Sequence, residues 1–176
     1  LIYQGLVRND GSVVPASETT NFSALKSVAV RWGYVDFGVA RAVSRQFFEK
    51  KRLKNAVQFG DVLINSTGDG TIGRVAVYGR EHPSLVDGHV TIVRFKDVQL
   101  AWYAAANLLS EQGQRQIYRY INGSSGQVEI YPQDIARIWI PQPSQGLVAR
   151  VSEGFSNAVK KYDEFQTDLS RVLDQV

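Results

Sequence analysis

The chain has no cysteine, no methionine and only two histidines, His82 and His89. Without cysteine there is no disulfide scaffold, no thiol nucleophile and no zinc–thiolate site. Two histidines argue against a multi-histidine metal centre. No apolar run approaches the ~18 residues that a membrane span needs. No basic, then apolar, then small-residue pattern opens the chain as a secretory signal would. With Leu at position 1 and no methionine, the expectation is an excised domain or trimmed chain from a cytoplasmic protein.

What is present describes one ordinary globular domain. The 176 residues are 44% hydrophobic and 21% charged, enough to bury a core and too apolar for wholesale disorder. The net charge is only +3, but it is unevenly spread: residues 1–60 hold nine Lys/Arg against four Asp/Glu, and residues 61–176 hold eleven against thirteen. A basic front half suits an acidic partner, with nucleic acid the commonest. A solvated face explains the same charge equally well.

Local patterns predict a mixed α/β (α+β) domain over residues 1–145, with twisted hairpins and short helices, then a long helical arm over residues 146–176. Residues 1–16 read as extended chain with a turn at Asn9-Asp10-Gly11. Residues 22–40 are apolar and aromatic without a clean period and take no assignment. Residues 44–52 suit a short helix capped by Ser44. Residues 61–66 and 72–78 are rich in β-branched side chains around a Gly-rich turn, the pattern of a hairpin. Residues 90–95 read as a strand, and residues 99–121 as helix broken at Gly113. Residues 123–126 are expected as a loop, and residues 128–131 and 137–140 as short strands ending at Pro141-Gln142-Pro143.

From Val148 the apolar residues recur every seven positions: Val148, Phe155, Tyr162, Leu169, Val176, with Val151, Ala158, Phe165 and Val172 three further on. That is a heptad seam held for about four heptads, on a helix about 45 Å long. It predicts a coiled-coil arm, with Phe155, Tyr162, Phe165 and Leu169 facing a partner helix. The competing arrangement is a long helix lying on its own domain. Gly154 is a weak point, since an interior glycine costs about 1 kcal/mol relative to Ala.

Three segments carry binding chemistry. Gly68-Asp69-Gly70-Thr71-Ile72-Gly73 formally matches the dinucleotide-binding glycine pattern. A strand-like stretch follows it, where a helix is required. It reads better as a tight turn whose backbone N–H groups can approach a phosphate. Arg41, Arg45, Lys50, Lys51, Arg52 and Lys54 crowd six cations against one anion, Glu49; such exposed Lys/Arg suit phosphate contacts. Residues 122–127 form a small polar loop able to hydrogen-bond base edges. No catalytic set is convincing. Ser66, Asp87 and His89 make a triad only on paper, with no nucleophile elbow at Ser66. The Asn/Asp-Pro-Pro-Tyr motif of adenine methyltransferases does not occur.

Four segments together resemble one family. They are residues 53–65, ending Gly-Asp-Val-Leu-Ile-Asn; residues 67–78, Thr-Gly-Asp-Gly-Thr-Ile-Gly-Arg-Val-Ala-Val-Tyr; residues 122–143, with Gly-Ser-Ser-Gly-Gln and Ile-Pro-Gln-Pro; and the long helix that follows. In order and spacing they are similar to the target-recognition domain of DNA specificity (S) subunits of Type I restriction–modification systems. Similar domains also occur fused to the methyltransferase in single-chain restriction enzymes. The resemblance covers about residues 50–176; in this family the preceding region varies between members.

The resemblance implies a non-catalytic component that recognises double-stranded DNA. It directs an adenine-N6 methyltransferase subunit and a restriction nuclease subunit to their target. S-adenosylmethionine, ATP and Mg²⁺ are expected in those partner subunits only, with no cofactor or metal in this chain and no membrane association. Phosphate contacts are expected from the 41–54 cations, Arg74 and the loop amides near Gly68 and Gly126. Base readout is expected from Ser124, Ser125, Gln127 and His89. S subunits typically carry two recognition domains and two helices, whereas this chain has one of each. The arm is therefore expected to pair with a second copy or with a second helix of a longer parent. The alternatives are a fragment of a single-chain methyltransferase/nuclease and a structural assembly subunit without DNA readout.

Overall fold

A computed structural model describes residues 21–124 and 126–175. The expected extended segment and turn within residues 1–16, Ser125 and Val176 lie outside the described residues. The elements in chain order are β1 (Ser23–Leu25), β2 (Arg41–Ala42), α1 (Arg45–Asn55), β3 (Val62–Asn65), β4 (Val75–Val77), β5 (Ser84–Val86), β6 (Val90–Val93), α2 (Val98–Leu109), α3 (Glu111–Arg119), β7 (Asn122–Ser124), β8 (Gln127–Glu129), α4 (Pro132–Ile135) and α5 (Gln145–Leu173). The architecture is mixed α+β, with small sheets and a long C-terminal helix. Among the described residues no helix is long and apolar enough to cross a membrane.

The centre is the antiparallel sheet β4-β3-β6. β3 pairs with β4 as the sequence predicts, Val62 opposite Val77 and Ile64 opposite Val75. Because side chains alternate along a strand, β3 feeds two cores. Val62 and Ile64 join Trp102, Ala105 and Leu108 of α2 on one face. Leu63 joins Leu25, Val30, Tyr78 and Val86 on the other. A second sheet, β2-β1-β5, pairs β1 with β5 in parallel. The stretch 22–40, which lacked a period, consists of β1 and two 3-10 turns, Ser27–Ala29 and Phe37–Val39. Elements this short are below the length at which a repeat can register.

Three local expectations are corrected. The break between α2 and α3 falls at Ser110, not Gly113. Ser110 has φ −66° and ψ 160°, closes α2 and caps α3, with Gly113 N donating to Ser110 Oγ at 3.2 Å. Gly113 answers a different need: a Cβ there would stand 2.0 Å from the Asn107 carbonyl oxygen. Gly123 and Ser124, expected in a loop, belong to β7, whose register sets Ser124 against Gln127. Residues 137–140 lie outside any strand. They follow α4, which Pro132 begins. There the Gln116 side-chain amide brackets the Trp139 backbone, accepting from its N–H at 2.8 Å and donating to its carbonyl at 2.9 Å.

α5 spans 29 residues, about 44 Å at ~1.5 Å per residue. Its first half lies on the chain's own domain. Val148 and Ser152 are buried. Ser152 Oγ donates to the Gln99 carbonyl at 2.7 Å. Phe155 meets Trp102 edge-on, centroids 5.2 Å apart. Tyr162 meets Tyr34 at 4.0 Å. Phe155 and Tyr162, expected on a partner seam, therefore face inward. From Glu164 to Gln175 every residue is exposed, including Phe165 and Leu169. An amphipathic helix on a core and a coiled-coil strand use the same residue types, and the positions of Trp102 and Tyr34 decide between them.

Candidate nucleic-acid interface

Several predicted site residues meet around one short stretch, Ser66-Thr67-Gly68, where β3 ends. The glycine turn starts here. Gly68, Gly70 and Gly73 have φ of +95°, +76° and +84°, a region that L side chains rarely adopt. Thr71 N and Ile72 N donate to the Gly68 carbonyl, and Gly73 N closes the turn on the Asn65 carbonyl at 2.9 Å. Ile72 is buried and anchors the loop. A Cβ at Gly70 would meet nothing within 4 Å, so the tip is open. The Arg74 guanidinium folds back onto the Gly70 carbonyl at 3.0 Å, placing a cation beside the turn.

His89 reaches the same stretch from the β5–β6 connection. Its carbonyl accepts from Ser66 N at 2.9 Å and from Ser66 Oγ at 3.1 Å, and its Nδ1 meets Thr67 Oγ1. Its N–H donates to Asp87 Oδ1 at 3.0 Å. Asp87 is buried. Burial raises the pKa of its carboxyl, and the His89 N–H only partly offsets the rise. The paper triad does not form, because the Ser66 hydroxyl is given to the His89 carbonyl and not to the imidazole. Among the described residues no three His, Asp or Glu side chains cluster as metal ligands would.

The β7–β8 hairpin is stitched to the other side. Gly68 N donates to the Val128 carbonyl at 3.2 Å, Ile130 N donates to the Ser66 carbonyl at 2.9 Å, and Thr67 bridges Glu129. Its tip carries Ser124, Gly126 and Gln127, all exposed. At Gly123 (φ +103°) a Cβ would stand 2.1 Å from the Gln127 carbonyl oxygen, so the tight tip needs glycine. Gly68, Arg74, His89, Ser124 and Gln127 are thus gathered by the backbone of three connections.

The cation cluster lies on α1 and β2. Ser44 caps α1 as expected, accepting from Phe47 N at 3.2 Å. Phe47 is buried with Val43, Ala24 and Leu85. Arg41, Arg45, Lys50 and Lys54 are exposed, and Lys51 is half-buried. Arg52 is bound to Glu49 at 2.6 Å, which neutralises part of its charge. The C-terminal end of α1 is tied to β5, Asn55 Nδ2 donating to the Val86 carbonyl at 2.9 Å. Val86 is three residues from His89, so one hydrogen bond and a short run of chain connect the two basic features. Thr67, the partner of His89, had no signal in the sequence, because its role depends on two connections meeting.

No family model matches the chain, and no curated protein is found to match it.

Proposed function

We propose that the chain is a non-catalytic, sequence-specific duplex-DNA recognition module of a restriction–modification system, which directs an adenine-N6 methyltransferase and its nuclease to a target. The observation that carries this reading is the meeting of the glycine turn, Arg74, His89 and the β7–β8 tip at Ser66–Gly68, with the α1 cations tied nearby. Cations suit phosphates, and polar tip side chains suit base edges. The partners are double-stranded DNA and the methyltransferase and nuclease subunits, which supply S-adenosylmethionine, ATP and Mg²⁺.

The exposed line of α5 suits a second copy. Paired antiparallel about a two-fold near residues 159–160, Val172 falls opposite Leu147, and Phe165 opposite Gly154, where a Cβ would meet nothing within 4 Å. Two domains related this way read a palindromic split site. The enzyme alternative has less support, since Ser66 is committed to a carbonyl.

Fluorescence anisotropy with a pool of random duplexes tests the reading across a salt series. Binding should weaken with salt, each phosphate contact contributing about 0.9 to the slope of log K against log salt. Replacing Lys50 and Lys54 with Glu should make the slope shallower by up to about two. No binding near ~50 mM salt, or a slope unmoved by the double reversal, would defeat the assignment.

A further inference from the structure

We infer that α1 reads bases through Gln46 and Leu53, and that the positions they face are an adenine and a thymine about three base pairs apart. This rests on the DNA-recognition reading above and adds a base-reading element to it.

Among the described residues Leu53 is the most exposed large apolar side chain, at 90%. It stabilises no core. Lys, Gln or Ala would serve helix formation as well, so the leucine is available for a contact beyond the described residues. Gln46 lies seven residues earlier, on the same line of the helix, and is also exposed. Seven residues advance ~10.5 Å, close to three base steps. The opposite side of α1 is seated by Phe47 against Leu85 and Val43. Among the described strands and helices its main neighbour is β5, and Gln46, Glu49, Lys50 and Leu53 are exposed. A helix ~10–12 Å across fits a major groove ~12 Å wide.

The charge pattern selects the occupant. Arg45, Lys50 and Lys54 are exposed beside the Gln46–Leu53 line, and the one acid of the helix, Glu49, is taken up by Arg52. A line of one amide and one apolar side chain between cations complements a groove floor between two phosphate rows. Within that floor a glutamine amide matches the N6/N7 edge of adenine, and an apolar side chain matches the thymine methyl.

The test is selection of bound sequences from a random duplex pool by wild type, Leu53→Ala and Gln46→Ala. Both changes are at exposed positions. The expected result is a wild-type motif that loses one thymine in Leu53→Ala and one adenine in Gln46→Ala, with unselected duplex bound as before. Replacing that thymine by uracil, which lacks the methyl, should weaken wild type about tenfold and leave Leu53→Ala unchanged. The same motif from all three proteins, or wild type indifferent to uracil, would overturn the inference while leaving DNA recognition standing. A wild type that selects nothing would overturn both.

Discussion

Arg80 and Asp163 are joined across 83 residues of chain by a hydrogen bond, Nε donating to Oδ2 at 3.2 Å, and by an ion pair, Nη2 to Oδ1 at 3.0 Å. The Arg80 guanidinium also lies 3.9 Å from the centre of the Phe37 ring. One residue earlier on α5, Tyr162 packs on Tyr34. These contacts stand where the buried part of α5 ends and the exposed part begins. A helix end without tertiary packing is marginal in water, so this clamp supports the free arm.

Asp163→Ala should therefore loosen the arm without unfolding the domain. A half-exposed pair with a cation–π contact contributes about 1 kcal/mol. Hydrogen exchange should quicken in residues 164–173 and stay unchanged in β3. The exchanged pair, Arg80→Asp with Asp163→Arg, should restore much of the protection. Unchanged exchange in Asp163→Ala would show that Phe155 and Tyr162 hold the helix alone.

Alkali should release the same contact. The hydrogen bond to Tyr34, followed by burial, pushes the Tyr162 hydroxyl up to about 12. The folded state thus favours the neutral phenol. Its contribution to stability is complete below the ordinary value near ~10 and is lost as pH rises through the folded value. Urea unfolding between about pH 9 and 12 should weaken more steeply for wild type than for Tyr162→Phe. Parallel curves would exclude this hydroxyl as the cause.

Asp87 has the same sign at the acid end. Burial raises its carboxyl pKa, so stability present below the ordinary carboxylate range is lost as pH rises through the folded value. Asp87→Asn keeps an oxygen for the His89 N–H and removes the buried charge. It should be at least as stable as wild type at neutral pH, with the difference shrinking below about pH 4. Asp87→Ala removes the acceptor as well and should lose about 1 kcal/mol relative to Asn. A destabilised Asp87→Asn would mean that the charge itself holds the His89 turn.

Gly154 and Phe165 test the pairing of α5. Gly154→Ala has open space for its Cβ and should stabilise the isolated helix by up to about 1 kcal/mol. In the two-fold register it fills the notch opposite Phe165, so dimerisation measured by sedimentation should weaken while thermal stability of the domain holds or rises. Phe165→Asp should abolish the dimer and leave single-domain DNA binding largely intact. A monomeric wild type at tens of micromolar would exclude self-pairing.

The sequence by itself determined the pieces whose causes are local. Ser44 caps α1 because its hydroxyl reaches Phe47 N three residues on. The β-branched runs on either side of the 68–73 glycines make the β3–β4 hairpin, because the turn and the pairing lie within one short stretch. The apolar spacing after Val148 determined a long amphipathic α5. Tertiary structure decided everything that needed two distant segments to meet. The parallel pairing of β1 with β5 joins Ser23 to Ser84, and no periodicity encodes a partner sixty residues away. Gly113 was read as a helix break because the Asn107 carbonyl beside it is invisible to a propensity argument. The face of α5 that is buried was set by Trp102 and Tyr34, since a heptad records that a helix wants an apolar neighbour and not whose neighbour it is. The gathering of Arg74, His89 and Gln127 around Thr67 was likewise decided by backbone bonds between three connections, because the chain carries its polar residues in order of sequence and only folding puts them in order of space.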